Sequence, residues 1–285
     1  DLDTWANIYD IKILQNNFKN RSIFKYMPEF FSKKIIRYIV FSQFNGFKSS
    51  EAVVCFPSGL NEFGDKVVNE LSFNNINIFE RYDVSFSPLK NANRNFKKNT
   101  KKLIIFSGVR FLFETFTEGN KGYCKGNDII IKGLSSYYHS TNKNIEIHFV
   151  EKGPDVSKAK KLCKDLGLEE VVSWHKEMPF FDLIKLYEKS DICLDQVGEH
   201  WMGAIGCYAL WLGKPLIANV NNLIKTQVIP FDNPILNAKN EFEVCEKLIY
   251  LTDENNRHKI SNESKKFAEK FLGPNKLLCE LFDFD

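Results

Sequence analysis

Residues 190–218 constrain the fold more than any other part of the chain: SDICLDQVGEHWMGAIGCYALWLGKPLIA. The pattern predicts a buried strand over residues 192–194, a polar loop with two glycines, an apolar helix over residues 203–212 and a second strand over residues 216–220. In such a strand–helix–strand unit, ligands bind at the carboxyl end of the first strand. The N–H groups that begin the helix lie on the same side and favour a phosphate.

The same alternation of strands and helices fills the rest of this region. Apolar segments predict further strands over residues 103–106, 145–150 and 171–174, with helices over residues 128–138, 155–166, 181–189, 241–251 and 261–272. Single helices between strands imply a parallel sheet with helices on both faces. The predicted fold class is therefore α/β, with a Rossmann-like sheet.

The amino-terminal part has the same α/β character but is less regular. Residues 52–56 and 76–79 predict strands, and residues 64–71 predict the helix between them. Residues 90–102 carry six basic residues and no acidic ones, which favours a solvated linker, with a nucleic-acid-binding arm as the alternative. We therefore predict two domains. Residues 1–98 form an incomplete α/β domain with its linker, and residues 99–285 form a complete one.

Composition and spacing exclude several classes. The 285 residues are 44% hydrophobic with a net charge of +3, which is typical of a globular protein and gives no argument for a nucleic-acid partner. Seven cysteines without C-x-x-C spacing indicate reduced thiols in the cytoplasm. No apolar run is long enough to cross a bilayer, and the first residues do not resemble a secretory signal. The missing initiator methionine leads us to expect further residues before Asp1.

Five motifs in order resemble the group 1 glycosyltransferases of the GT-B fold. They are LIIFSGVR (residues 103–110), Lys125-Gly126, FVEKGP (residues 149–154), LYEKSDICL (residues 186–194) and Gly213-Lys214-Pro215. FERYDVSFSPLK (residues 79–90) is similar to the segment that leaves the first domain of this family. The resemblance implies two Rossmann-like domains, the second of which binds a nucleoside-diphosphate sugar. It also implies transfer of the sugar to a hydroxyl acceptor with retention of configuration.

The resemblance assigns roles to two cations near the first strand of the second domain. Arg110, two residues after Gly108, and Lys125 would stabilise the departing diphosphate, for which a guanidinium fork and an ammonium are suited. The reaction would then need no metal and no cofactor, and D-x-D occurs only at the chain ends. The alternative is that both residues are ordinary surface cations. No catalytic residue is assigned.

The remaining candidates follow residue 194: Glu199, His200, Trp201, Met202, Gly203, Ala204 and Tyr208. Glu199 would orient the donor sugar, and the backbone around Gly203 would bind phosphate. The family has a second Glu for the ribose, but that position falls on Tyr208, or on Cys207 if no gap is allowed. A phenol binds a diol less well than a carboxylate does. A helix-cap role for Glu199 and a core role for Tyr208 stay open.

The histidines carry little functional signal. His175 ends a strand near the expected place of the nucleobase, where backbone groups would make the contacts. His139, His148 and His258 have no sequence neighbours that suggest metal binding or catalysis. No P-loop, G-x-G-x-x-G or G-x-S-x-G is present, which counts against NTPase, ordinary dinucleotide-binding and hydrolase functions.

The predicted partners are a nucleotide-sugar donor and a glycan or lipid-linked acceptor, as in glycan or glycolipid synthesis. The expected location is the cytoplasm, with peripheral association at the cytoplasmic face of the membrane as an alternative. A catalytically degenerate nucleotide-binding or scaffold protein of the same fold is the rival hypothesis. An enzyme of this fold that epimerises or phosphorolyses sugars is a third.

Overall fold

The computed structural model describes residues 26–60, 62–72, 75–80, 89, 93–94, 102–115, 124–141, 144–198 and 202–272. These residues separate into two compact units. Residues 26–80 belong to the first, and the described residues from 89 onward belong to the second. The predicted domain boundary after residue 98 lies outside the described residues.

The first unit contains a long helix followed by a strand–helix–strand element: α1 (Glu29–Lys48), β1 (Ala52–Cys55), α2 (Glu62–Ser72) and β2 (Asn77–Glu80). The two strands pair in parallel, with Val53 beside Ile78. Val53, Val67, Leu71 and Ile76 form its buried core. The predicted strands and their connecting helix are confirmed, whereas α1 was not predicted.

The second unit alternates strands and helices from β3 to β8. Its elements are β3 (Leu103–Ser107), α3 (Asn127–Thr141), β4 (Ile145–Val150), α4 (Val156–Asp165), β5 (Val172–His175), α5 (Phe180–Lys189), β6 (Ile192–Leu194), α6 (Ala204–Trp211), β7 (Leu216–Ala218), α7 (Asn221–Lys225), β8 (Leu236–Asn237), α8 (Glu241–Tyr250) and α9 (Glu254–Phe271).

All six strands of this unit form one parallel sheet in the order β5-β4-β3-β6-β7-β8. Ile105, Ile147, Ile192 and Ile217 lie in four neighbouring strands and are fully buried. Burying such a side chain contributes about 1.5–3 kcal/mol. Helix α3 packs against α4 and α8, and α6 packs against α9. The predicted α/β class with a Rossmann-like sheet is confirmed.

The final helix differs from its prediction, because it begins at Glu254 rather than at residue 261. The Asp253 side chain accepts hydrogen bonds from the N–H groups of Asn255 and Asn256, which caps the helix. Its first turn is polar and therefore carries no apolar periodicity. The two short elements α7 and β8 were not predicted.

Part of the predicted linker contacts the second unit. The Arg94 guanidinium lies 4.4 Å from the ring centroid of Trp211, and its Nε donates to the Trp211 carbonyl at 2.7 Å. Arg94 also forms an ion pair with Glu269 at 2.7 Å. Trp211 and Glu269 therefore hold this piece of chain against α6 and α9.

The sequence also made predictions about the cysteines and about membrane-spanning segments. The six cysteines among them are free thiols, as predicted. Within the same residues, no helix is long and apolar enough to cross a membrane.

Candidate functional site

The sheet has one point at which its winding reverses. From β3 the chain moves outward to β4 and β5, and from β6 it moves outward in the opposite direction to β7 and β8. Because β3 and β6 are neighbours at this point, the loops that follow them border the crevice in which sheets of this winding bind ligands. Gly108 is buried in the first of these loops, where a Cβ would lie 3.3 Å from Ile205 of α6.

Arg110 is exposed just beyond the end of β3. The turn after β4 fixes the backbone next to it, since Phe111 N–H donates to the Lys152 carbonyl at 2.7 Å and Asp155 N–H donates to the Phe111 carbonyl at 3.2 Å. Gly153 has a φ of +109° and lies against Arg110, which leaves no room for a side chain. The FVEKGP motif therefore supports the strand end that carries Arg110.

Asp155 holds the rest of this loop through a buried carboxylate. Its Oδ2 accepts the N–H groups of Phe113, Glu114 and Thr115 at 2.9, 2.9 and 3.0 Å, and its Oδ1 accepts the Thr115 hydroxyl. Burial acts to raise the pKa of Asp155, but these hydrogen bonds outweigh it and hold the pKa well below its usual range. Sequence analysis predicted Asp155 only as the start of a helix.

Lys125 lies between the two loops of the crevice. Its N–H donates to the Leu112 carbonyl at 2.8 Å, and its carbonyl accepts the Val197 N–H at 3.2 Å. Gly126 has a φ of +68°, and a Cβ there would lie 2.6 Å from the backbone N of Gly198. The Lys-Gly motif, at the end of the β3–α3 loop, is thus bonded to the loop after β6 through Val197. It is also bonded to Leu112, which lies two residues after Arg110.

Asp195 occupies the start of α6 and was missed by sequence analysis. Its Oδ2 accepts the N–H groups of Gly203 at 2.8 Å and Gly206 at 3.0 Å, while Oδ1 accepts the Gln196 N–H at 2.8 Å. The carboxylate is buried, and burial raises its pKa, although these three N–H groups and the positive charge of Lys125 act in the opposite direction.

These bonds change how α6 could bind a phosphate. The N–H groups of Met202 and Ala204 were predicted to bind the phosphate, and the N–H of Gly203 between them is directed to Asp195. Within the described part of the chain, no group accepts the N–H of Ala204 or Ile205, so these two donors remain at the helix start. Met202 is fully buried beside them. The phosphate role of this segment remains a prediction, now centred on Ala204.

Of the four other candidates in this region, the structure describes only Tyr208. Glu199, His200 and Trp201 lie outside the described residues. Tyr208 is half-buried on α6, and its ring centroid lies 4.9 Å from that of Phe180. This contact gives the ring a packing role and leaves its predicted contact with ribose untested.

Lys214, the lysine of the Gly-Lys-Pro motif, is only 5% exposed. Its ammonium donates to the carbonyls of Glu188 at 3.0 Å and Ser190 at 2.9 Å. Carbonyls at the end of a helix have no partner within the helix, and a cation there is favourable. Lys214 therefore stabilises the end of α5.

His148 contacts two side chains that the sequence did not indicate. Its Nδ1 lies 2.8 Å from Nε2 of His175, and its Nε2 lies 3.2 Å from a carboxylate oxygen of Glu146. The sequence could not show this, because the two histidines come from neighbouring strands, β4 and β5. Burial lowers the pKa of His148, with Glu146 opposing and nearby positive charges adding to the shift. Among the described residues no cluster suitable for a metal ion is found.

No protein-family model and no curated protein matches the chain by sequence. By structure it is similar to TarM from S. aureus in complex with UDP, with a TM-score of 0.59, 16% identity and coverage of 93% of this chain and 48% of TarM. It is also similar to HepE from Anabaena in complex with UDP and glucose, with a TM-score of 0.57, 13% identity and coverage of 90% and 68%. The chain has the fold of the GT-B glycosyltransferases.

A glycosyltransferase from Rickettsia africae shares the GT-B fold with this chain at a TM-score of 0.54 and 16% identity, over 85% of this chain and 65% of that one. The resemblance found in the short motifs therefore predicted the GT-B fold correctly. The chain spans about half the length of TarM. Similarity to half of a longer protein does not by itself assign that protein's activity to this chain.

Proposed function

We propose that this chain carries the donor-binding site of a glycosyltransferase, which moves a sugar from a nucleoside diphosphate to a hydroxyl acceptor. The fold supports the proposal, and TarM and HepE are both described in complex with UDP. Retention of configuration and independence of metal belong to the proposal, as implied by the group 1 resemblance. The acceptor would be a glycan or a lipid-linked glycan, and the reaction would take place on the cytoplasmic side.

The observation that carries the proposal is the backbone bond between Lys125 N–H and the Leu112 carbonyl, 2.8 Å long. It holds the two ends of the β3–α3 loop together, one carrying Arg110 and the other carrying Lys125, beside the point where the sheet reverses. Arg110 is exposed there and Lys125 is half-buried, so both can meet an anion in the crevice. A diphosphate that gains negative charge as it departs is stabilised by such fixed cations.

The proposal gives the remaining candidates the following roles. The N–H of Ala204 would bind a phosphate oxygen, with Gly203 held in place by Asp195. Glu199, His200 and Trp201 would contact the sugar, and Tyr208 would reach the ribose. Gly108 keeps the first strand end clear of side-chain atoms next to α6.

The test is calorimetric titration of the chain with UDP, GDP, ADP and CMP in the presence of EDTA. One nucleoside diphosphate should bind saturably, and Arg110→Ala should weaken that binding about 10- to 150-fold, since a charged hydrogen bond contributes about 1.5–3 kcal/mol. Lys132→Ala removes an exposed cation of α3 that pairs with Asp128, and it should leave the affinity unchanged. Equal affinity of Arg110→Ala and the wild-type chain would overturn the assignment.

The rival is a protein that binds a nucleotide without turnover. The packing of Tyr208 on Phe180 favours it, because this position would otherwise offer a carboxylate to the ribose. The two hypotheses separate when the chain is incubated with the matching nucleotide sugar. Release of the nucleoside diphosphate above the uncatalysed rate supports an enzyme, while tight binding without release supports the rival. An epimerase would change the sugar without releasing it.

A further inference from the structure

One face of α1 exposes a group of aromatic side chains. Phe30, Phe31, Tyr38 and Phe41 are 62%, 57%, 72% and 63% exposed. The opposite face is buried through Ser32, Ile36 and Val40. Single apolar side chains are common on protein surfaces, but a contiguous apolar group marks an interaction site.

Two cations lie among these aromatic residues. At 100° per residue, Lys34 and Arg37 fall on the exposed side of the helix, and the Lys34 ammonium lies 4.4 Å from the ring centroid of Phe30. We call this surface the aromatic face of α1; it consists of Phe30, Phe31, Lys34, Arg37, Tyr38 and Phe41.

The aromatic face of α1 contains no acidic residue. Glu29 is the single carboxylate in the sequence of the helix, and it pairs with Lys33 at 2.7 Å. Within the part of the chain that the structure describes, no carboxylate forms an ion pair with Lys34 or Arg37. The face therefore presents apolar area and net positive charge together.

Exposed phenylalanines in the second unit have different surroundings. Phe181, Phe231 and Phe242 are 76%, 88% and 77% exposed. Each has an acidic residue next to it in sequence: Asp182, Asp232, and Glu241 with Glu243. Among the aromatic residues of the α1 face this holds only for Phe30, whose neighbour Glu29 pairs with Lys33. Exposed aromatic residues are thus found in both units, but in α1 several of them lie beside cations that form no ion pair with any described residue.

We infer that the aromatic face of α1 binds an anionic lipid surface. A helix with aromatic residues and cations on one side lies in the plane of a membrane interface, with its rings among the headgroups and its cations at the lipid phosphates. A second copy of the chain fits the same face less well, because self-association would bring Lys34 and Arg37 close to like charges. The inference does not depend on the proposed glycosyltransferase function.

The experiment is co-sedimentation of the full chain with vesicles of phosphatidylcholine alone and of phosphatidylcholine with phosphatidylglycerol. The chain should bind the anionic vesicles and be released by salt. Each cation near an anionic surface strengthens binding about fivefold, so Lys34→Glu with Arg37→Glu should weaken it by more than about tenfold. Phe31→Ser with Phe41→Ser should weaken binding to a similar extent.

The matched control is Phe231→Ser with Phe242→Ser, which removes equally exposed rings beside acidic residues and should leave vesicle binding unchanged. All variants change exposed side chains, so their thermal unfolding should match that of the wild-type chain. Equal binding to both vesicle types, or binding that survives the charge reversal, overturns the inference. Failure to bind vesicles, with concentration-dependent dimers that the α1 variants abolish, would identify a second copy as the occupant.

Discussion

Gly153 lies against Arg110 so closely that a Cβ at position 153 would be 2.7 Å from the Arg110 Cγ. The contact joins the turn after β4 to the loop after β3. The direction of the candidate diphosphate-binding arginine is therefore set by a residue more than forty positions further along the chain. Phe111 reinforces the contact, because its N–H donates to the Lys152 carbonyl and its carbonyl accepts the Asp155 N–H.

We expect Gly153→Ala to affect both stability and nucleotide binding. The φ of +109° is unfavourable for alanine, and the new methyl group would displace Arg110, so the free energy of unfolding should fall by about 1–3 kcal/mol. The affinity for the nucleoside diphosphate should also fall, as measured by calorimetry on the folded variant. Gly46→Ala is the control, because a Cβ there meets no atom within 4 Å. It should leave binding intact and not reduce stability.

Asp195→Asn tests the carboxylate at the start of α6. Both oxygens of Asp195 accept backbone N–H groups, and in asparagine the side-chain NH₂ replaces one of these oxygens, so that two donors face each other. The variant should therefore lose about 1–3 kcal/mol of stability near neutral pH. Because burial raises the pKa of Asp195 above its unfolded value, the contribution of this group is largest at low pH and is lost as pH rises through the folded pKa. Denaturant titrations should therefore show the wild-type advantage over the variant growing from pH 7 towards pH 4. A constant difference would contradict the raised pKa.

His148→Gln should change the pH dependence of stability in the opposite direction. The folded state lowers the pKa of His148 below 6.5, so it favours the neutral ring, and its stabilisation is present above that pH and lost as pH falls through the folded pKa. Glutamine can still bond to its neighbours but does not titrate. The difference in unfolding free energy between the wild-type chain and the variant should shrink between pH 7.5 and pH 5. Parallel curves would show that His148 does not titrate in this range.

Lys214→Met should destabilise the chain without weakening nucleotide binding. Two carbonyls at the end of α5 would lose a charged donor, at a cost of about 2–4 kcal/mol in the free energy of unfolding. Lys185→Met on the same helix removes an exposed ion pair with Asp182 and should destabilise the chain far less, because solvent screens exposed ion pairs. Calorimetry at a temperature where both variants are folded should give the wild-type affinity. A selective loss of affinity in Lys214→Met would place this lysine in the binding site instead.

The sequence predicted the second unit well because its strands are short apolar runs separated by helices of clear periodicity. It failed on α1, whose aromatic residues lie on both the buried and the exposed faces, so that no single apolar stripe is visible. Arg110 and Lys125 were predicted from motifs, and the backbone bond from Lys125 to Leu112 brings their parts of the β3–α3 loop together, while their role in binding stays a prediction. Asp155 and Asp195 were not predicted as site residues, because each carboxylate bonds to backbone N–H groups. Such groups are common to all residues except proline, so no sequence motif marks these contacts. The available signal was an acid at a loop position beside a glycine-rich segment.

The burial of Lys214 changes what a Gly-Lys-Pro match means when sequences are compared. Lys214 donates to backbone carbonyls at the end of α5, so its loss would lower the amount of folded protein. Selection should therefore keep this lysine whether or not the chain binds a nucleotide. Relatives that no longer transfer a sugar should keep the triplet for as long as they keep the fold. Under the proposed function, replacement of the exposed Arg110 would be the better mark of a relative that has lost the activity.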